Sequence, residues 1–440
     1  MSRNVTKLLP FVDEVQVSRP DDAPWTSALR QEGFNRYRES GLPTPRTEAW
    51  KYTNLRRLAG MNFAPNEAAP EGVAIPEDHL VKIDGFRAVV INGRFQANLS
   101  DLSGLPRGLR VEGLANMLRK SPALLEPLLG RIAIRDNRPL TALNAAHLDD
   151  GLCVFVEKGV VLDKPIHIVS IGAPCGDEAA SFHPRLLVSL GAGSVATIVE
   201  SHVGKGAYFS NGVAEFVVGA DAVLNHYKVQ EESDEAYHLA DTTLRLEDRS
   251  TYDGFTFQSG GVLARNEIYA CLDGENVDCR VNAAYLGAGK QHIDNTVFID
   301  HVKPGSRSRE VCKGVLDDQS RAVFQGKILV RKDAQKTDGF QLNKALLLSR
   351  GAEIDSKPEL EIYADDVKCS HGATVGELDA DALFYLRSRG IDTVAARNLL
   401  ISAFVAEAVA EIQSETVRDA VSDMVQVKLE MRHEGRVNER

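Results

Sequence analysis

Cys369, Ser370 and His371 carry the most suggestive chemistry in this 440-residue sequence. On an extended backbone residues i and i+2 face the same way, so the thiol and the imidazole can converge. Thiolate and imidazole together suit a soft metal ion or an iron–sulfur cluster. Two donors do not complete a tetrahedral site, so a partner would have to supply the rest. A Cys–His nucleophilic pair is a second reading, with no evident third group nearby to orient the imidazole. A purely structural Cys-x-His is the third. The other cysteines, Cys153, Cys175, Cys271, Cys279 and Cys312, are scattered without a Cys-x-x-Cys spacing, as expected of reduced thiols in a cytoplasmic protein.

Three further patterns look chemical and dissolve on inspection. Gly191-Ala192-Gly193-Ser194-Val195-Ala196 fits a dinucleotide fingerprint in letters, but Thr197-Ile198-Val199 then favours a strand over the required helix. Gly287-Ala288-Gly289-Lys290 resembles the end of a phosphate loop. Ala284 stands where an earlier glycine belongs, however, and Gln291 replaces the magnesium-binding hydroxyl, so no ATP hydrolysis is expected of this chain. The pairs Asp149-Asp150, Asp317-Asp318 and Asp365-Asp366 invite comparison with the carboxylates of β-helical polysaccharide enzymes. Adjacent residues on a strand point to opposite faces, so turn chemistry explains the pairs better.

The elements that must position these residues divide the chain in three. Twelve of the 17 prolines lie in residues 1–150, and 23 of the 35 glycines in 151–376. Residues 378–440 hold no proline and only Gly390 and Gly435. A short amphipathic helix is expected over 26–40 with Leu29, Phe34 and Tyr37 on one side. A linker is expected over Ala64–Asp78, a strand over Ala88–Phe95 turning at Asn92-Gly93, and broken helix over 113–130. From 151 onward short apolar runs such as Cys153–Glu157, Val195–Glu200, Val297–Ile299 and Leu360–Tyr363 recur between Gly, Asp, Asn and Ser. Their irregular spacing fits a parallel β-helix better than a propeller or barrel. Asp379, Asp392 or Thr393, and Ser414 can cap three terminal helices, the second reaching about Ile412. That second helix is unusual: from Leu399 to Ile412 its polar residues are only Ser402, Glu407 and Glu411. It either packs within the molecule or offers a docking platform.

The net charge of −11, without a basic run, argues against nucleic acid and anionic membranes. The N-terminal apolar run stops at Asp13, too short for a secretory signal, and no window of 18 apolar residues spans a membrane. The cytoplasm is the expected location.

Residues 357–376, KPELEIYADDVKCSHGATVG, and 313–330, KGVLDDQSRAVFQGKILV, resemble the core of the SufB/SufD family of iron–sulfur assembly proteins. TPRTEAWKYTNL (44–55) and DGLCVFVEKGVVLDKPIHI (150–168) are similar to the SufD branch in particular. The resemblance implies a mainly β fold, a right-handed parallel β-helix core with helical N-terminal and C-terminal regions, divided at 1–145, 146–376 and 377–440. It implies a non-catalytic scaffold that pairs with SufB through the β-helix and docks the SufC ATPase on its C-terminal helices, with Leu399, Leu400, Phe404 and Val405 as candidate contacts. It also implies that His371 sits at the SufB interface and helps hold iron or a nascent iron–sulfur cluster, with Cys369 as the neighbouring thiol. A homodimer of the isolated chain stays open. The competing classes are a structural adaptor that touches no metal and a β-helix enzyme acting on carbohydrate.

Overall fold

The computed structural model describes residues 9–12, 15–20, 22–64, 69–70, 72–133 and 138–438. Two ten-stranded sheets face each other, and the chain alternates between them, laying down a parallel β-solenoid of about seven turns. One sheet ends in the strands Arg307–Leu316, Asp338–Leu347 and Lys368–Gly376; the other ends in Arg321–Val330 and Glu353–Ile362. Within these runs every neighbouring pair is parallel and in register.

Alternation along each strand builds the core. In Val195–Gly204, Ala196 and Ile198 point between the sheets, into the inner core that runs along the stack through Leu224, Val281, Val297, Ile299, Ile328 and Val330. Val199 and Val203 point outward, yet both are buried, because helices and loops cover that outer face. Strands buried on both faces read as nearly continuous apolar runs, which is why the middle segment looked all-β.

The sheets reach further back than residue 146. Phe86–Ile91 pairs in parallel with Ile166–Gly172, and it turns through Asn92 (φ 46°) and Gly93 (φ 79°) into Arg94–Phe95. Two positive φ values in a two-residue loop define the hairpin turn that the Asn-Gly pair suggested. Leu114–Lys120 and Pro122–Leu125 form the expected broken helix. The Ala64–Asp78 segment falls partly outside the described residues; Val73 and Ile75 in it pack on the first coils.

The helix Pro24–Ser40 buries Thr26, Arg30, Gly33 and Tyr37. Tyr37 fits the expected face. Arg30 joins it because its Nε donates to Leu148 O at 2.8 Å and its guanidinium pairs with Asp22. Leu29 and Phe34 are only partly buried. Two ionic contacts fasten this region to the solenoid. Glu215 accepts from the backbone N–H of Gly130 at 2.8 Å and pairs with buried Arg185 at 2.6 Å. Arg265 lies over the Trp50 ring and pairs with Asp294, which also accepts from Thr53.

At the other terminus Asp379 accepts from the N–H groups of Asp381 and Ala382, starting Ala380–Ser388. Asp392 does the same for Val394 and Ala395 at the start of Thr393–Val409. The last helix is Glu415–Asn438. Ile401, Val405, Val409, Val417 and Val421 lay the latter two helices on the outward residues Val199, Tyr227, Phe255 and Val315. No helix of the described residues is long and apolar enough to cross a membrane.

Candidate functional site

The final strand, Lys368–Gly376, pairs on one side only. Gly339 faces Cys369 across the ladder, Gln341 faces His371, and Asn343 faces Ala373. Gly339, Gln341 and Asn343 are the buried, inward members of their strand. Cys369 and His371 therefore stand on the inward face of the terminal coil, as the i, i+2 argument expected. No further coil lies above them among the described residues, so His371 is exposed at the open end.

The two donors differ in environment. Cys369 is half-buried against the inner apolar cluster that includes Ile328, Leu360 and Val367, and burial pushes its thiol up from the ordinary range. It is therefore a protonated, packed thiol in the chain alone. Two residues on one strand face lie about 6.6 Å apart, close enough to share a metal ion. Among the described residues no three His, Cys, Asp or Glu side chains are grouped to hold one.

The remaining motifs are structural. Gly193 (φ 67°) turns the chain into Val195–Gly204, and Ser194 Oγ closes that turn on Gly191 O. Gly287 to Lys290 is the corner between Asp278–Gly287 and His292–His301. Asp149 pairs with Arg19 and Arg94, Asp150 accepts from Phe95 N and Ala115 N, and Asp318 accepts from Gly289 N. Cys153, Cys279 and Cys312 are buried free thiols.

The expected docking residues separate into two sets. Leu399 is 51% exposed and Leu400 is partly buried, both available at the surface. Val405 is fully buried against the solenoid, so it is a core residue, and intramolecular packing of Ile401, Val405 and Val409 accounts for one face of the apolar helix. Phe404 is partly buried, with Lys313 Nζ 4.7 Å from its ring centroid. The apolar surface continues instead onto Ala380–Ser388, which buries none of its residues: Phe384 is 73% and Tyr385 57% exposed. Two adjacent aromatic residues on a short capped helix were the signal that sequence reading passed over.

A buried polar cluster inside the solenoid was also missed. Glu200 accepts from His202 Nε2 at 3.0 Å and His226 Nε2 at 2.6 Å. Lys228 Nζ donates to His238 Nε2 at 2.9 Å, and His238 Nδ1 lies 2.7 Å from Glu232. Burial drives the His238 pKa down to about 4, so its imidazole is neutral and free to accept from Lys228.

A parallel β-solenoid with a cysteine and a histidine on the inward face of its open last coil is the class of protein defined so far. Residues 10–168 match the SufBD protein N-terminal region, and residues 174–404 match the SufBD core domain of the SUF system of FeS cluster assembly. The iron-sulfur cluster assembly protein SufD of Escherichia coli is 32% identical over 415 residues, 90% of this chain and 91% of its own. An iron-sulfur cluster assembly SufBD family protein of Synechocystis is 33% identical over 389 residues, 84% of each. SufD of Bacillus subtilis is 26% identical over 422 residues, 92% of this chain and 94% of its own. The chain belongs to the SufBD family of iron–sulfur cluster assembly proteins.

Proposed function

We propose that this chain is a non-catalytic scaffold subunit of a cytoplasmic iron–sulfur cluster assembly complex, pairing with SufB and docking SufC. The observation that carries the reading is the placement of His371 on the inward face of an unsealed terminal coil. Both strands that end the sheets there leave backbone groups free to pair with another sheet. A SufB solenoid set end to end would bury that edge and bring its own ligands to His371. Iron and sulfide are cargo at this junction. His371 offers an imidazole nitrogen, and a SufB thiolate completes the set. Cys369, packed and protonated in the chain alone, takes a supporting role and ligates only if a metal displaces its proton.

SufC docks on the exposed Phe384, Tyr385 and Leu399 and on the partly buried Leu400 beside them. Its ATP-driven dimerisation pulls on the terminal helices, which lie along the outer face of the sheet ending in His371. The two-state element is the SufB junction, which opens to admit cargo.

The test is the His371→Ala variant in the assembled complex, purified anaerobically. The expected result is an intact complex without cluster, by absorbance and Mössbauer spectra. Normal cluster content would return the chain to the role of an adaptor that touches no metal. Cys369→Ser should reduce cluster content less than His371→Ala does.

A further inference from the structure

His371 tops a polar column. The inward ladder positions beneath it are Gln341 one coil down and Glu310 two coils down. Gln341 is 0% exposed and Glu310 is 1% exposed. Gln341 Nε2 donates to Glu310 Oε2 at 2.7 Å, while Gln341 Oε1 has no partner. A buried amide oxygen without a donor is costly, so its survival in a tightly packed lumen asks for a reason. The opposite wall makes room for this arrangement. Gly326 faces the pair, and a Cβ there would lie 1.7 Å from Gln341 Nε2 and 3.0 Å from Glu310 Oε2. Any side chain at 326 would evict the amide.

A histidine that binds metal through one ring nitrogen generally donates its other N–H to an oxygen, which fixes the tautomer and the ring orientation. Adjacent strands lie about 4.8 Å apart, so the next side chain above Gln341 on the same face is within hydrogen-bonding reach of it. We propose that Gln341, braced by Glu310 in the space beside Gly326, is the positioning residue of His371. Its Oε1, unpartnered in the structure, is the acceptor placed to take one imidazole N–H, which turns the other nitrogen's lone pair out of the open end toward the cargo. Gln341 touches no iron itself. This inference rests on the reading of His371 as a ligand and says how that ligand is held.

The experiment uses the full chain labelled with 15N-histidine, with His371 assigned from the H371N spectrum. Long-range 1H–15N correlations report which ring nitrogen carries the proton above the titration range. His371 is expected in one tautomer in the parent chain. In Q341L, with the acceptor gone, it should relax to a mixture of both. Q341E should keep the single tautomer, because a carboxylate oxygen in the same place still accepts the imidazole N–H. Unchanged His226 resonances show that the lumen is intact. A tautomer mixture in the parent, a single tautomer retained in Q341L, or a mixture in Q341E each overturns the proposal. Normal cluster content in the His371→Ala complex would overturn the functional reading instead, whatever the tautomer.

Discussion

The guanidinium of Arg265 lies 4.1 Å from the centre of the Trp50 ring, and this contact ties the N-terminal region to the solenoid wall. Arg265 and Asp294 are both buried, and their pairing leaves Arg265 Nη2 free to donate to Glu267 and to Ala49 O. The EAWKYTNL stretch thus has a mechanical meaning: Trp50 stacks on the arginine and Thr53 meets the same aspartate. Trp50→Ala should cost about 3–5 kcal/mol, as for other buried tryptophans. Arg265→Ala should cost as much, because Asp294 is left as an uncompensated buried charge. Denaturant melts should show the N-terminal region detaching before the solenoid unfolds.

Glu215 makes the second fastening. Glu215→Ala strips Arg185 of its partner and removes the acceptor for Gly130 N–H, and for Ile132 and Ala133 behind it. A loss of about 3–5 kcal/mol is expected, read from the shift of the urea midpoint. Glu215→Gln should lose less, since an amide oxygen still accepts.

Glu310 makes stability depend on pH. Burial lifts its carboxyl from 4.5 to about 8. Between those values the folded chain holds a proton that the unfolded chain has released. Stability from this group is therefore complete below about 4.5 and falls by about 1.4 kcal/mol per pH unit up to about 8. Above that the loss is complete. E310Q keeps the shape and removes the ionisation, so its melts should be flatter over this range and its advantage over the parent greatest at alkaline pH. Parallel stability curves for parent and variant would show that Glu310 is not buried in this form.

The two sets of apolar residues on the terminal helices should behave oppositely. Phe384→Glu and Leu399→Glu should weaken capture of SufC in a pull-down while leaving the melting temperature within a few degrees. Val405→Asp should destabilise the chain by more than about 4 kcal/mol, because it buries a charge against Val199 and Val315. SufC capture unaffected by both exposed substitutions would place the dock elsewhere.

The terminal helices were the most legible part of the sequence, because their starts are set by local chemistry: Asp379 and Asp392 each cap two N–H groups within three residues. Strand centres were legible where inward residues are apolar. Strand ends were not. Val297–Ile299 extends to His292–His301 because Asp294 and Asp300, on the opposite face from Val297 and Ile299, are satisfied by Arg265 and by Arg331 and Tyr269 from other coils. No fixed repeat could show, since ladder partners in one sheet are offset successively by 28, 28, 27, 29, 31 and 30 residues from Val195 to Lys368. For the same reason the Glu200–Lys228 cluster stayed hidden, its members joined only through register. The Cys369–His371 pair was found because strand parity is a local rule; the unsealed coil that gives it meaning is a property of the whole stack.

That last coil has an energetic character of its own. In a stack whose units touch only their neighbours, an inner coil is held by two interfaces and an end coil by one. The antiparallel strands Arg94–Phe95 and Leu109–Gly113 close the stack at its beginning, whereas Lys368–Gly376 stands as the final rung. The amides around His371 are therefore the first of the solenoid to exchange with solvent, and the last to be locked when a second solenoid arrives. The fold concentrates its loosest backbone at the place where two chains would have to agree on the position of one imidazole. On the proposed pairing, assembly there would also complete the folding of the last coil.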